Sequence, residues 1–535
     1  MELSQGKGAM AESPGSSSSA RIAQHAADAR LAAERGDWND VARLASTIVQ
    51  LDATHPEGHF LQGLVANAQR RPQAAIEHFQ QVLRVAPQRY DAAIELAALL
   101  PLFGQHGQAA ELIARYEAQL DNSPRYLDAA ATTYLRLGLP DRAWPLLCQA
   151  HALQPGIERF AARKAECAVF VGQLDTAESL YRDLLQRFPL HQRYHYQLSR
   201  LRTAKDDAHI GQMQAVLAQG GMPDERNIFL YYALGKELED RERWSEAFAY
   251  YEKAGAAAVA SSGYTVDADI ALIDAVIAGC SAQWLAEPHA DVQTTTQPIF
   301  VTGLPRTGTT LVERILSSHS QLESAGETFF MQLALQTELK LQRAIDAASI
   351  QQALQLSPAA IAQRYRSSVQ YRLHGKPWFI DKLPENYLYL GFIARAFPQA
   401  KLIHLRRHPL DACFALFKQS YFRYAYRLDD LARYYVAYDR LMKHWRKVLG
   451  DRLVEVHYED LSLQPDTTID TLLDTLGLSR EAACHAFHEN VSATNTASAI
   501  QVREPMHQRS VGKWQHFAAE LEPLSRALKD AGILV

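Results

Sequence analysis

Two independent markers recur along the first half of the chain at a spacing near 34 residues. Small residues stand in similar contexts at Ala42, Ala75, Ala110, Ala143 and Ala177, in steps of 33, 35, 33 and 34. Prolines close the same units at Pro56, Pro87, Pro124, Pro155, Pro189 and Pro223, in steps of 31, 37, 31, 34 and 34. Each unit holds about two helical stretches. A helix pair of this size cannot bury its apolar face alone, so neighbouring pairs must stack. The small residue lets two helices cross closely, and the proline stops the second one. The pattern runs to about residue 260. There RERWSEAFAYYEKAGAA (241–257) reads as a late unit, with Trp244, Ala247 and Tyr251 in the repeated places. Residues 203–223 fit poorly and are expected to form a degenerate unit.

This period is that of tetratricopeptide repeats (TPRs), whose α-helical solenoids present a concave face to a peptide or partner protein. Four segments follow. Residues 1–20 are expected to be a disordered leader, without the apolar stretch of a secretory signal. Residues 21–260 form the array, 261–297 a helical connector ending in the polar junction DVQTTTQ, and 298–535 a second domain. A length of 535 residues fits such a division. The net charge of −5 gives no global nucleic-acid signature, so any anion site must be local. Five scattered cysteines without metal-ligand spacing read as reduced thiols of a cytoplasmic protein, and no metal site is expected. No run of 18 or more apolar residues predicts a membrane span.

The second domain opens on PIFVTGLPRTGTTLVERIL (298–316). Pro298–Val301 reads as a buried parallel strand, Gly303 and Gly308 bracket a tight loop, and a helix follows. Such a loop cradles a phosphate-like group with its backbone N–H groups and the positive end of the helix. The spacing is that of a P-loop, but Gly308-Thr309-Thr310 stands where a nucleotide triphosphatase carries Gly-Lys-Ser/Thr. The lysine is missing, and Arg306 lies earlier in the loop.

Three more strands are expected: one ending at Asp381-Lys382, one over 401–405 and one over 453–456. Their alternation with helices implies a parallel α/β sheet with ligands at the carboxyl ends of its strands. Arg406-Arg407-His408-Pro409 lies at such an end, where a helix begins, and makes a second anion site. Two separated anion sites suit an adenosine carrying a 5′ anhydride and a 3′-phosphate.

With these motifs, residues 298–535 resemble the sulfotransferase family, which uses 3′-phosphoadenosine-5′-phosphosulfate (PAPS). GLPRTGTT resembles its 5′-phosphosulfate loop and LIHLRRHPLDACFAL its 3′-phosphate segment. With repeats in front, the whole arrangement resembles bacterial tetratricopeptide-repeat sulfotransferases, whose catalytic domains are similar to protein-tyrosine sulfotransferases. The resemblance implies an α-helical TPR solenoid followed by an α/β P-loop-like parallel-sheet sulfotransferase domain.

By the same resemblance, Pro305, Arg306, Thr307, Gly308, Thr309 and Thr310 hold the 5′-phosphosulfate, and Arg306 and Lys382 stabilise charge during transfer. Glu327, in SAGE, aligns with the general base, and His319 is a rival. Arg407 fits the 3′-phosphate arginine through Arg407-His408-Pro409-Leu410-Asp411. Ala415 departs from the pattern, standing where the family carries a serine, and Lys418 lies nearby. Tyr458 resembles the tyrosine beside the adenine. Arg503, Ser510 and Lys513 belong to a tail that resembles the one folding over the donor. The aromatic and basic stretch 419–447 has two readings: a lining for the acceptor site or, at helical spacing, tyrosines that serve as packing residues.

The expected activity is PAPS-dependent transfer of a sulfuryl group to a hydroxyl acceptor, favoured as a protein tyrosine docked on the repeats. A small-molecule or glycan hydroxyl is the alternative acceptor. Two rival readings differ in class. A small-molecule kinase is opposed by the missing lysine. A non-catalytic TPR scaffold with a decayed transferase domain would account for Ala415 and the altered tail.

Overall fold

The computed structural model describes residues 14–120, 122–219, 223–288, 296–496 and 498–535. In the helical part, the second helix of each pair begins at Trp38, Pro72, His106, Pro140, Leu174, Ala208 and Trp244. These starts advance by 34 residues until the last, which advances by 36. In six of these seven pairs, the exception being the turn before Ala208, the turn before the second helix carries a left-handed residue. Gly36, Gly104, Gly138 and Gly172 supply it with φ between +70° and +80°, while Arg70 and Glu242 adopt it at +57° and +58°. The fully buried small position lies three residues into the second helix, at Ala75, Ala109, Ala143, Ala177 and Ala247. Val41 takes that position in the first pair, so the expected Ala42 and Ala110 each lie one residue too far along and are only partly buried.

The helix Ala208–Ala218 keeps the phase through the segment expected to be degenerate. Residues 1–13 of the expected leader lie outside the described residues, and Pro14–Glu34 is a helix. The connector carries the helices Asp267–Gly279 and Ala282–Ala286. Most of the expected junction, residues 291–295, also lies outside the described residues.

The sheet has five parallel strands: β1 Gln297–Gly303, β2 Leu322–Gly326, β3 Trp378–Asp381, β4 Lys401–Arg406 and β5 Leu453–His457. Their order is β2-β3-β1-β4-β5. Four strands match the apolar runs. β2, LESAG, is a correction: it is a short edge strand with no such run and shifts register between Ser324 and Gly326. Alternate residues face opposite layers, as the strand period requires. Ile299 and Val301 pack with Ile403, Leu405 and Leu473, while Phe300 and Leu402 face Tyr365, Phe397 and Trp445. Trp445 is fully buried, and its indole N–H donates to the Tyr387 carbonyl at 2.8 Å. Burial of such a ring stabilises the fold by about 2–3 kcal/mol.

The chain divides into two compact units within the repeat array. One runs to Leu137 and takes in Ala152–Gln154, and the other comprises Gly138–His151 and Pro155–Val535. The later repeats therefore share a unit with the sheet. Tyr251 and Phe248 of the helix Trp244–Ser262 pack against Phe414, Phe417 and Phe517 in one continuous core.

Candidate active site

After β1 the chain turns through three residues with positive φ: Gly303 at +149°, Arg306 at +69° and Gly308 at +100°. A Cβ at Gly303 would stand 2.6 Å from the Leu405 carbonyl oxygen, and one at Gly308 would stand 2.7 Å from the Tyr458 ring. Both positions therefore require glycine. Thr307 closes the loop by donating its hydroxyl to the Leu304 carbonyl at 2.6 Å. The helix Thr309–Ser317 follows, with Thr309 and Thr310 buried at its start beside Pro305. The first N–H groups of a helix lack intrahelical partners, so this turn is an anion cradle. Arg306 donates to the Ser498 hydroxyl and, at 2.8 Å, to the Gln501 side chain. Burial lowers its pKa.

Lys382 follows β3, and its amide donates to the Gly326 carbonyl at the end of β2 at 3.1 Å. That pairing brings Lys382 and Glu327 side by side. The fully buried Lys382 ammonium binds Glu327 Oε1 and lies 3.5 Å from Glu313 Oε2. Burial pushes the lysine pKa down, and the two carboxylates more than reverse this, so it is held charged. Glu327 remains about a third exposed. Beneath the pair, buried Asp381 accepts from Thr328 and Tyr365 hydroxyls at 2.6 Å and from Asn386 at 3.2 Å. Thr328 adjoins Glu327, so this network fixes the backbone that presents the carboxylate. Glu385 was not singled out from the sequence. Burial, reinforced by the Glu327 charge, raises its pKa to about 7.

At the end of β4 the two arginines part. Arg406 is exposed and lies 3.7 Å from Glu455. Arg407 turns to the glycine loop, donating Nη1 to the Arg306 carbonyl at 2.9 Å and Nη2 to the Ser510 carbonyl. Its guanidinium lies 4.8 Å over the Tyr458 ring. Arg306, Gly308, Arg407, Tyr458 and Ser510 are thus brought together. The tail is pinned on the helix Pro409–Phe417, because Asp411 accepts the Gly512 and Trp514 amides at 2.7 and 3.0 Å. Trp514 stacks on His408.

Lys513 pairs with Glu239 of the repeats at 2.5 Å. Arg503 reaches instead to the Phe170 carbonyl at 3.0 Å and packs over Gly172. His319 is fully buried, with Nε2 3.0 Å from the Ser479 carbonyl, which gives it a structural role. Tyr434, Tyr435 and Tyr438 are buried in the helix Leu428–Leu449, as packing residues. Ser498, Gln501 and Glu239 carried no local sequence signal, since their cationic partners Arg306 and Lys418 lie 179 or more residues away.

Residues 298–482 match the Sulfotransferase family. An uncharacterized protein of Aquifex aeolicus is 28% identical over 61% of this chain and 44% of its own length. Protein-tyrosine sulfotransferase 1 of Danio rerio is 25% identical over 40% of this chain and 65% of its own. The chain thus spans under half of the first relative and just under two thirds of the second. The sulfotransferase domain of the Synechococcus PCC 7002 olefin synthase shares 22% identity over 46% of this chain and all of that one, with a TM-score of 0.34. The parallel sheet, its glycine loop and this family match identify the α/β part as a sulfotransferase-family domain, carried behind an array of tetratricopeptide-like helix pairs.

Proposed function

We propose that this domain takes PAPS as donor and passes its sulfuryl group to a phenolic hydroxyl, with a protein tyrosine as the favoured acceptor. The observation that carries the reading is the Glu327–Lys382 pair at the carboxyl ends of β2 and β3, beside the glycine loop. The residues present suit a donor with two anionic ends. The glycine cradle with Arg306, Thr309 and Thr310 serves one end. Arg407 serves the other, with an Nε that is buried and has no hydrogen-bond partner among the described residues. Tyr458, between the loop and Arg407, offers a face for the base. Bound there, PAPS supplies a sulfuryl group on a phosphate leaving group.

In this reading Glu327, which remains open to solvent, takes the proton of the acceptor hydroxyl. Lys382 and Arg306 offset the negative charge that develops on the departing side, from positions held before the reaction begins. The named protein-tyrosine sulfotransferases among the relatives favour a phenol over an alkyl alcohol. Peptide docking on the repeats belongs to the same proposal.

The test supplies radiolabelled PAPS with a tyrosine peptide, a small phenol and an alkyl alcohol. Transfer to the phenolic acceptors, falling about 100-fold or more in Glu327→Gln, is expected. Absence of transfer to every acceptor, with no binding of adenosine 3′,5′-bisphosphate, overturns the reading. Stronger thermal protection by ATP than by the bisphosphate points instead to a kinase.

A further inference from the structure

Glu239 belongs to the repeat array, on the helix Ile228–Asp240, and is only 5% exposed. Three segments converge on its carboxylate. Lys418, at the end of the helix Pro409–Phe417, places Nζ 2.8 and 3.0 Å from the two oxygens. Lys513, in the tail, places Nζ 2.5 Å from Oε1. Tyr251, on the next repeat helix, donates its hydroxyl to Oε2 at 2.8 Å. Burial raises the Glu239 pKa, but the two ammonium groups outweigh it and hold the group at about 2.

The cluster is not neutral. Arg407 adds a third cation, is felt electrostatically by Lys418, and has no carboxylate partner among the described residues. Two ammonium groups therefore share one buried carboxylate while Arg407 adds its charge to theirs, and the buried Arg407 Nε has no acceptor among the described residues. An ammonium carries three N–H groups. Glu239 engages at most two of those on Lys418 and one on Lys513, so both retain donors. Such an excess of fixed positive charge calls for a dianion.

We propose that Glu239 is a positioning residue of the donor site: from the repeat array it fixes Lys418 and Lys513 as a cationic pair for the donor's 3′-phosphate. This rests on the PAPS reading above. It makes the later repeats part of the donor site rather than a detachable docking module. The groups facing Lys418 are Glu239, Lys513, Arg407 and the Phe414 ring, at 4.6 Å. Burial, Lys513 and Arg407 all push its pKa down, and Glu239 alone among these charged groups pushes it up. Without that carboxylate, Lys418 loses its proton more readily, and the site loses a cation as pH rises.

The test uses the full chain and measures dissociation constants for adenosine 3′,5′-bisphosphate and adenosine 5′-monophosphate at pH 6.5 and 8.5. The wild type is expected to prefer the bisphosphate. Glu239→Gln is expected to lose tenfold or more in bisphosphate affinity at pH 8.5 and to recover part of it at pH 6.5, with monophosphate affinity within twofold. Lys418→Met is expected to show the loss at both pH values, and it carries the test if Glu239→Gln does not fold. A wild type without preference for the bisphosphate overturns the PAPS reading itself. A wild type that discriminates, with variants that discriminate equally or lose both nucleotides together, overturns the role of Glu239.

Discussion

Lys382 is fully buried, yet its ammonium is bound to Glu327, which remains about a third exposed. Glu313 completes the arrangement at 3.5 Å, with its other oxygen taking the Ser324 hydroxyl at 2.5 Å. One cation thus holds two carboxylates that would otherwise repel each other. Removing it leaves buried Glu313 beside partly exposed Glu327 without compensation, which costs about 3 kcal/mol. Lys382→Met should therefore unfold at markedly lower urea concentration at pH 7. The deficit should shrink as pH falls below about 4.5, where free carboxylates protonate. A variant as stable as the wild type at pH 7 would show that the pair contributes no net stability.

Glu385 supplies a pH dependence of opposite origin. Its carboxyl is pushed up to about 7 by burial, with the Glu327 charge acting the same way and Lys382 opposing. The folded state then binds this proton more tightly than the unfolded chain. The resulting stability is present at low pH and is lost as pH rises from the unfolded value near 4.5 through 7. Glu385→Gln removes the loss. It should raise the melting temperature at pH 8 by the equivalent of about 3 kcal/mol and leave it nearly unchanged at about pH 4. Melting curves across that range check the sign, and equal shifts at both ends would assign the effect to packing alone.

Much of this site was legible from the chain. The apolar runs before Gly303, Lys382, Arg406 and His457 placed four strand ends, because parallel strands buried on both faces are apolar along their length. β2 escaped because LESAG is a short edge strand with one large apolar residue, the buried Leu322. The repeat phase was visible in alanine and proline. The sharper marker was the left-handed turn glycine at Gly36, Gly104, Gly138 and Gly172, which φ demands and side-chain patterning does not. Burial of Lys382 and Glu239 could not be read, since charged residues are seldom buried unless paired. Their partners lie 55 and 179 residues away.

Gly308 carries a prediction for the loop. Its φ of +100° strains any other residue, and a Cβ would meet the Tyr458 ring at 2.7 Å. Gly308→Ala should cost about 1–3 kcal/mol in stability. It should also displace Tyr458 from beneath Arg407, weakening adenosine 3′,5′-bisphosphate at least tenfold. Titration calorimetry reads the affinity directly. Retained affinity would show that the ring can move aside without cost to the nucleotide site.

Arg503 separates a strap from a donor contact. Its guanidinium donates to the Phe170 carbonyl, which also accepts the Thr494 amide at 2.9 Å. Upstream, Arg314 donates to the Asn490 and Ser492 carbonyls at 3.0 and 2.9 Å. The described residues of 490–503 are therefore tied both to the helix after the glycine loop and to a repeat helix, and they include the Ser498 and Gln501 groups that hold Arg306. Loss of the Arg503 hydrogen bond, with the carbonyl still satisfied by Thr494, should cost about 1–2 kcal/mol. Arg503→Met should thus lower the unfolding midpoint while bisphosphate affinity changes less than threefold. A residue contacting the donor's phosphates would instead lose tenfold or more in affinity. Parallel urea titrations and nucleotide titrations of the same variant decide between the strap and the donor contact that the family resemblance implies.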